Sequence, residues 1–225
     1  MSSLPLLNST DVLIIYGTVC CLLYVETDGF RREAPFVNIM PTLSLTLLTF
    51  TLRVKKTIKL FTSLAFSIFA VAVYLHSLPR HNLQTACGLF TVAHISYILS
   101  FTSSIQRLWF ECAVAVITYV GAFLYFCFVD LFWSIPVLAL GVSFHFITLA
   151  ISLIIAASIW YYGSERQNIL ADALLRFFGL LSFMICDSLL ILNQFGDHID
   201  GFNYISTALF YIGQPLLFVA NQQAF

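Results

Sequence analysis

An all-α, polytopic transmembrane bundle of about eight helices is the fold class this chain predicts, on three observations. Of its 225 residues, 60% are hydrophobic and only 9% charged, against about 25% charged in a soluble domain. Its mean hydropathy is +0.93. The ionic groups, which sum to a net charge of −1, fall mostly between apolar runs of roughly 20 residues, the length that crosses a hydrocarbon core of about 30 Å. So few ionic groups cannot clothe a globule in a solvated surface. That argues against a soluble enzyme, a nucleic-acid binder and a disordered scaffold, and makes the lipid bilayer the expected surroundings.

Eight runs carry the pattern, at about 11–25, 35–52, 60–78, 83–103, 109–129, 135–160, 168–192 and 202–220. The first is short, which leaves seven spans as the alternative. The sixth is long, and Pro136 suits its first turn, where a missing N–H costs nothing. No Lys or Arg occurs in the first ten residues, so no basic leader is read ahead of the first run. Cys20, Cys21, Cys87, Cys112, Cys127 and Cys186 all lie inside apolar runs without C-x-x-C spacing, and read as packing residues. Trp109, Trp133 and Trp160 stand near run ends, as interfacial anchors do.

The most basic segment holds Arg53, Lys55, Lys56 and Lys59, which assigns it to the cytoplasm. The N-terminus, Arg107 and Arg166 follow to that side, and Asn8 of the Asn8-Ser9-Thr10 sequon is then unglycosylated. Arg31, Arg32 and Arg80 face the other way, against the rule. With no linker, repeat or soluble insertion, residues 1–225 read as one helical domain. The endoplasmic reticulum is the expected membrane, with no retrieval signal at Asn221–Phe225 to fix it.

An ionisable side chain in hydrocarbon costs several kcal/mol, so it marks a functional candidate. Asp187, in LLSFMICDSLLILNQF, is the strongest. It is expected about five residues, roughly 8 Å, inside the end of helix seven. At 100° per residue it shares a face with Asp172, Arg176, Gly179 and Phe183. Helix eight carries Tyr204, Thr207, Tyr211 and Gln214 at helical spacing, and the heads of Tyr211 and Gln214 are expected in one volume. Taken alone, that stripe reads as interhelical hydrogen bonding, common for Gln, Thr and Tyr in membranes. Helix four offers His94 and Tyr97, three apart, with Phe101 continuing the face. His145 in helix six has no such company and reads as a structural histidine. His76 falls near the end of helix three, where an interfacial position needs no function. Asn193 and Asp197 stand at the end of helix seven. No G-x-S-x-G elbow, H-E-x-x-H pair or Walker loop occurs, and no metal-ligand set is visible.

Four segments together resemble one family. Arg176–Asn193, RFFGLLSFMICDSLLILN, is similar to the lysoplasmalogenase (YhhN-like) signature around its aspartate, with Cys186 in the usual serine position. Tyr211 and Gln214 resemble its Y-x-x-x-Q ending, one position shorter. Gly88, Leu89, Phe90, His94, Tyr97 and Phe101 are similar to its histidine-bearing helix. Phe36 through Pro41 resembles its helix-two element without the lysine. The matches run in order over about 35–215. In one place the chain departs: where the family carries a Gly-Asp pair in helix three, aligning Phe66-Ser67 sets Ala70 and Val71. His76 lies five residues on and roughly 140° off that face.

The resemblance implies a membrane hydrolase that cleaves the vinyl ether of lysoplasmalogen, releasing a fatty aldehyde and a glycerophospho-choline or -ethanolamine. It implies Asp187 as acid or electrostatic partner of the cation, and His94 as base or water-orienting group. Tyr97, Tyr211, Gln214 and Asn193 are then expected to hold the substrate. Water is the only co-substrate, no cofactor or metal is expected, and the oligomeric state is open. The missing helix-three aspartate keeps a second reading alive, a pseudoenzyme that binds lysophospholipid or a partner protein. A transporter is disfavoured by the lack of an internal repeat.

Overall fold

The computed structural model describes residues 8–30, 34–52, 54–78, 83–163, 169–196 and 200–223. Arg31, Arg32, Arg53, Arg80, Arg166 and Asp197 lie outside the described residues. The described residues are 85% helical and form eight helices and no strand. In order these are α1 (Ser9–Glu26), α2 (Pro35–Thr49), α3 (Lys56–His76), α4 (Leu83–Phe101), α5 (Phe110–Phe128), α6 (Pro136–Tyr162), α7 (Ile169–Phe195) and α8 (Phe202–Gln223).

Local chemistry sets several of these ends. Asn8 N–H bonds the Asp11 carboxylate at 2.9 Å and so starts α1. Prolines open α2 and α6 at their first turns. Helix α3 begins four residues earlier than its apolar run, because Lys59 reaches back to the Phe50 carbonyl at 3.0 Å and keeps its charge at the rim. Helix α7 runs on to Phe195, three residues past the expected end.

Among the described residues six helices are long and apolar enough to cross a membrane: α1, α3, α4, α5, α6 and α7. This fits an integral, multi-pass membrane protein. The other two expected runs are the helices α2 and α8. Helix α2 has only 15 residues, about 22 Å at 1.5 Å per residue. Helix α8 has 22 residues and carries Thr207, Gln214, Asn221 and Gln222 among its apolar positions. Large apolar side chains such as Leu47, Phe126 and Trp133 point outward, as lipid contact requires.

Neighbours follow the order α1, α2, α3, α4, α6, α7, α8, and α8 closes the ring by touching α1, α2 and α3. Helix α5 packs outside α6 and α7 and buries only Val120 and Phe128. Consecutive helices run antiparallel. Asn38 near the start of α2 bonds Ser77 just past the end of α3 at 3.1 Å, and Arg176 early in α7 bonds Asn221 late in α8 at 2.9 Å. The bundle therefore has a basic end, with Lys55, Lys56, Lys59 and Arg107, and a far end where α3 and α7 finish and α4, α6 and α8 start.

Two details tie α8 into place. Pro215 has no N–H, so the Tyr211 carbonyl lacks its helical partner. The Tyr16 hydroxyl of α1 donates to that carbonyl at 2.8 Å, satisfying a group that hydrocarbon could not. Between α7 and α8, Gly179 and Gly213 let the backbones meet. A Cβ on Gly179 would stand 2.7 Å from Leu217 Cδ2 and 3.1 Å from the Gly213 carbonyl oxygen. Leu217 can swing aside but the backbone oxygen cannot. Gly179→Val is accordingly expected to destabilise the bundle by about 1–3 kcal/mol, read as a lowered melting temperature in detergent.

Candidate active site

One cavity of about 210 Å³ lies in the far half of the bundle, lined by α2, α3, α4, α6, α7, α8 and Phe30 of the α1–α2 turn. Its wall is mostly apolar, with Val73, Phe90, Val142, Phe146, Leu190 and Phe210 among the lining residues. Helix geometry explains what reaches it. Thr91 is eight residues into α4, His145 nine into α6 and Phe210 eight into α8, while Asp187 is eight before the end of α7. In antiparallel neighbours these counts meet in one layer, about 12–14 Å from the far end.

In that layer Asp187 Oδ2 and His145 Nε2 are 2.9 Å apart. The Asp187 side chain is 23% exposed, to the cavity it lines, while that of His145 is 6% exposed. The other ring nitrogen, His145 Nδ1, is 3.3 Å from Thr91 Oγ1, and the Thr91 hydroxyl donates to the Cys87 carbonyl at 2.9 Å. Cys186 and Cys87, read from sequence as packing residues, also line the cavity, and the Cys186 thiol points to the Ser206 carbonyl at 3.2 Å. Among the described residues no group of three or more His, Cys, Asp or Glu is arranged to hold a metal ion.

Of the six residues expected to form the site, Asp187 and Tyr211 line this cavity and His94, Tyr97, Gln214 and Asn193 do not, while His76, His145 and Thr207, given no site role from sequence, do line it. Asp187 stands eight residues inside α7, about 12 Å rather than the expected 8 Å, because the helix continues to Phe195. Tyr211 donates to the Asn38 carbonyl at 2.7 Å, and Gln214 accepts from the Thr42 hydroxyl at 2.9 Å. Both heads therefore turn to α2, and Gln214 is fully buried below the cavity. Tyr97 is likewise fully buried and donates to the Leu217 carbonyl at 2.9 Å, toward the basic end. Asn193 is half-buried near the end of α7, off the cavity wall.

His94 sits one ring behind the site. It is 1% exposed, meets Phe69 and Phe183 edge-on at 5.0 and 5.4 Å, and its ring centre is 5.4 Å from that of His145. Neither of its nitrogens has a hydrogen-bond partner among the described residues. His94 therefore reaches Asp187 only across His145. The company that His145 lacks within its own helix is supplied by α7, since it is the residue that bonds the aspartate. Spacing within α6 held no sign of this, but matching its depth to that of Asp187 in the next, antiparallel helix would have.

The register read for helix three also changes meaning. Val71 is 51% exposed on the outer surface of α3, so an acid at position 71 would face away from Asp187. Helix α3 reaches the cavity through Val73, His76 and Ser77 instead. The ionisable group that bonds Asp187 comes from α6.

No curated protein and no solved structure is similar enough to this chain to match. A family model does match, covering residues 34–221 and described as the YhhN family. That span includes α2 to α7, nearly all of α8, and every residue of the layer just described. With an eight-helix bundle and a carboxylate–histidine pair inside it, the chain belongs to the YhhN family, the family of lysoplasmalogenase-like membrane proteins.

Proposed function

We propose that this protein hydrolyses the vinyl ether of lysoplasmalogen, with the Asp187–His145 pair as acid and then base. The observation that carries the reading is the 2.9 Å link between the two, set in the wall of an apolar cavity about 12 Å below the rim. An enol ether is activated by a proton on its β-carbon, and an apolar slot accepts the alkenyl chain that bears it.

The steps balance with one pair and one water. Asp187, exposed to the cavity, gives its proton to the alkene carbon, and the C=C electrons form the new C–H bond. The resulting oxocarbenium faces a carboxylate that offsets its charge. Water then attacks the cationic carbon and passes a proton to the pair, which restores the starting state. The hemiacetal so formed collapses to a fatty aldehyde and the glycerol hydroxyl of the glycerophospho-base. Because the same pair donates and then accepts, the chemistry does not require a second carboxylate from α3. Tyr211, on the cavity wall, is positioned to touch substrate. His94, Tyr97, Gln214 and Asn193 act in this scheme only as supports.

The test is aldehyde release by purified protein from a 1-alkenyl lysophospholipid, beside its 1-alkyl and 1-acyl counterparts. Turnover of the alkenyl lipid alone is expected, since neither counterpart has a C=C bond to protonate. His145→Gln is expected to lower that turnover by about 100-fold. Lysolipid binding without aldehyde release, in a folded wild type, would replace the hydrolase with a lipid-binding protein.

A further inference from the structure

We propose that Thr91 is a positioning residue that fixes the protonation pattern of His145. The assignment deepens the reading above, and rests on it for its catalytic consequence but not for its structural one. A threonine hydroxyl has one hydrogen and two lone pairs. That hydrogen is committed to the Cys87 carbonyl, 2.9 Å away and one turn back in α4. Toward His145 Nδ1, at 3.3 Å, Thr91 therefore has only a lone pair to offer. Nδ1 must carry a hydrogen to make that contact.

The consequence passes through the ring. With Nδ1–H fixed, a neutral His145 presents a bare Nε2 to Asp187 Oδ2 at 2.9 Å. The contact is a hydrogen bond only if a proton lies on it, either as a carboxylic acid facing imidazole or as a carboxylate facing imidazolium. Both forms are neutral as a pair and hold one transferable proton. The other tautomer would put a hydrogen on Nε2 with none on Nδ1, so that an ionised Asp187 is satisfied without any proton to give. Thr91 thus selects the loaded state of the pair over the empty one. It does so from outside the cavity, being 4% exposed and off the wall. After the proton leaves, two lone pairs face each other across 2.9 Å, which favours recapture of a proton from the attacking water.

The experiment uses the full-length protein in detergent with 15N-labelled histidine, the His145 signal being assigned by its loss in His145→Gln. Wild type is expected to show a protonated Nδ1 on His145, and Thr91→Val to lose that preference. In the alkenyl-lysolipid assay, Thr91→Val is expected to lower kcat by about 10- to 100-fold at near-constant KM, and Thr91→Ser to stay within about threefold of wild type. An unprotonated Nδ1 in wild type overturns the assignment, as does a Thr91→Val enzyme with unchanged kcat. The nitrogen spectrum decides the role of Thr91 even for a wild type that releases no aldehyde, so the two readings fail separately.

Discussion

Asp187→Asn is expected to abolish aldehyde release from alkenyl lysophospholipid, a loss of at least about 100-fold and up to the 10,000-fold span of general acid–base catalysis. Asparagine keeps the size and shape of the side chain and still bonds a histidine nitrogen, so the α6–α7 contact at His145 survives. What is lost is the acidic proton, since an amide hydrogen is not delivered to carbon. The matching control is the melting temperature of the variant, expected to stay near that of wild type. Turnover within a few-fold of wild type in a folded Asp187→Asn protein would remove the carboxyl from the chemistry. It would also leave the cavity with no other acid, because Asp187 is the only Asp or Glu on its described wall.

The largest expected effect on stability lies at the opposite end. Arg176 is 1% exposed, one of the most deeply buried side chains of the protein. Its Nη2 donates to Asn221 Oδ1 at 2.9 Å and to the Ala220 carbonyl at 3.2 Å, and its guanidinium carbon lies 4.5 Å from the centre of the Phe101 ring. Asn221 in turn donates to Thr62 at 2.9 Å and Ser100 at 3.1 Å. One guanidinium thereby joins α3, α4, α7 and α8 below the cavity. Asp172, also 1% exposed, stands one turn away on the same face of α7, and neither of its oxygens has a hydrogen-bond partner among the described residues.

Arg176→Met is therefore expected to destabilise the bundle by about 3–5 kcal/mol, the range for removing one partner from a buried charged network. The methionine fills much of the volume, so the loss comes from Asn221 without its donor and Asp172 without the positive charge one turn away. A second variant separates these causes. Asp172→Asn together with Arg176→Met is expected to recover part of the loss, because the orphaned charge goes with its partner. Denaturation curves in detergent read both. A single variant that melts with wild type would mean that this end is held by apolar packing alone.

The positions of Asp187 and Arg176 on one helix show how much was legible in the chain. Charge is so costly in hydrocarbon that a carboxylate within an apolar run identifies itself, and the 3.6-residue period puts both on one face. The eight runs and their order follow from the same reasoning, because apolar length is a local property. The family resemblance rested on residues of this kind too, and its span agrees with the matched residues 34–221.

Period alone reports which side of a helix is special, not which neighbour that side meets. Tyr211 and Gln214 share a face, yet both heads close on α2. His94 and Tyr97 share a face, yet one lies behind His145 and the other at the basic end's network. Val71 looked like the site of a missing acid and faces outward. His145, isolated in its own helix, proved to hold the aspartate, with Thr91 behind it. The sequence by itself determined a helical membrane bundle and its most costly buried charge, because hydrophobic length and ionisation cost need no partner. The tertiary structure alone decided what that charge is bonded to, because a hydrogen bond between helices depends on their pairing and relative depth.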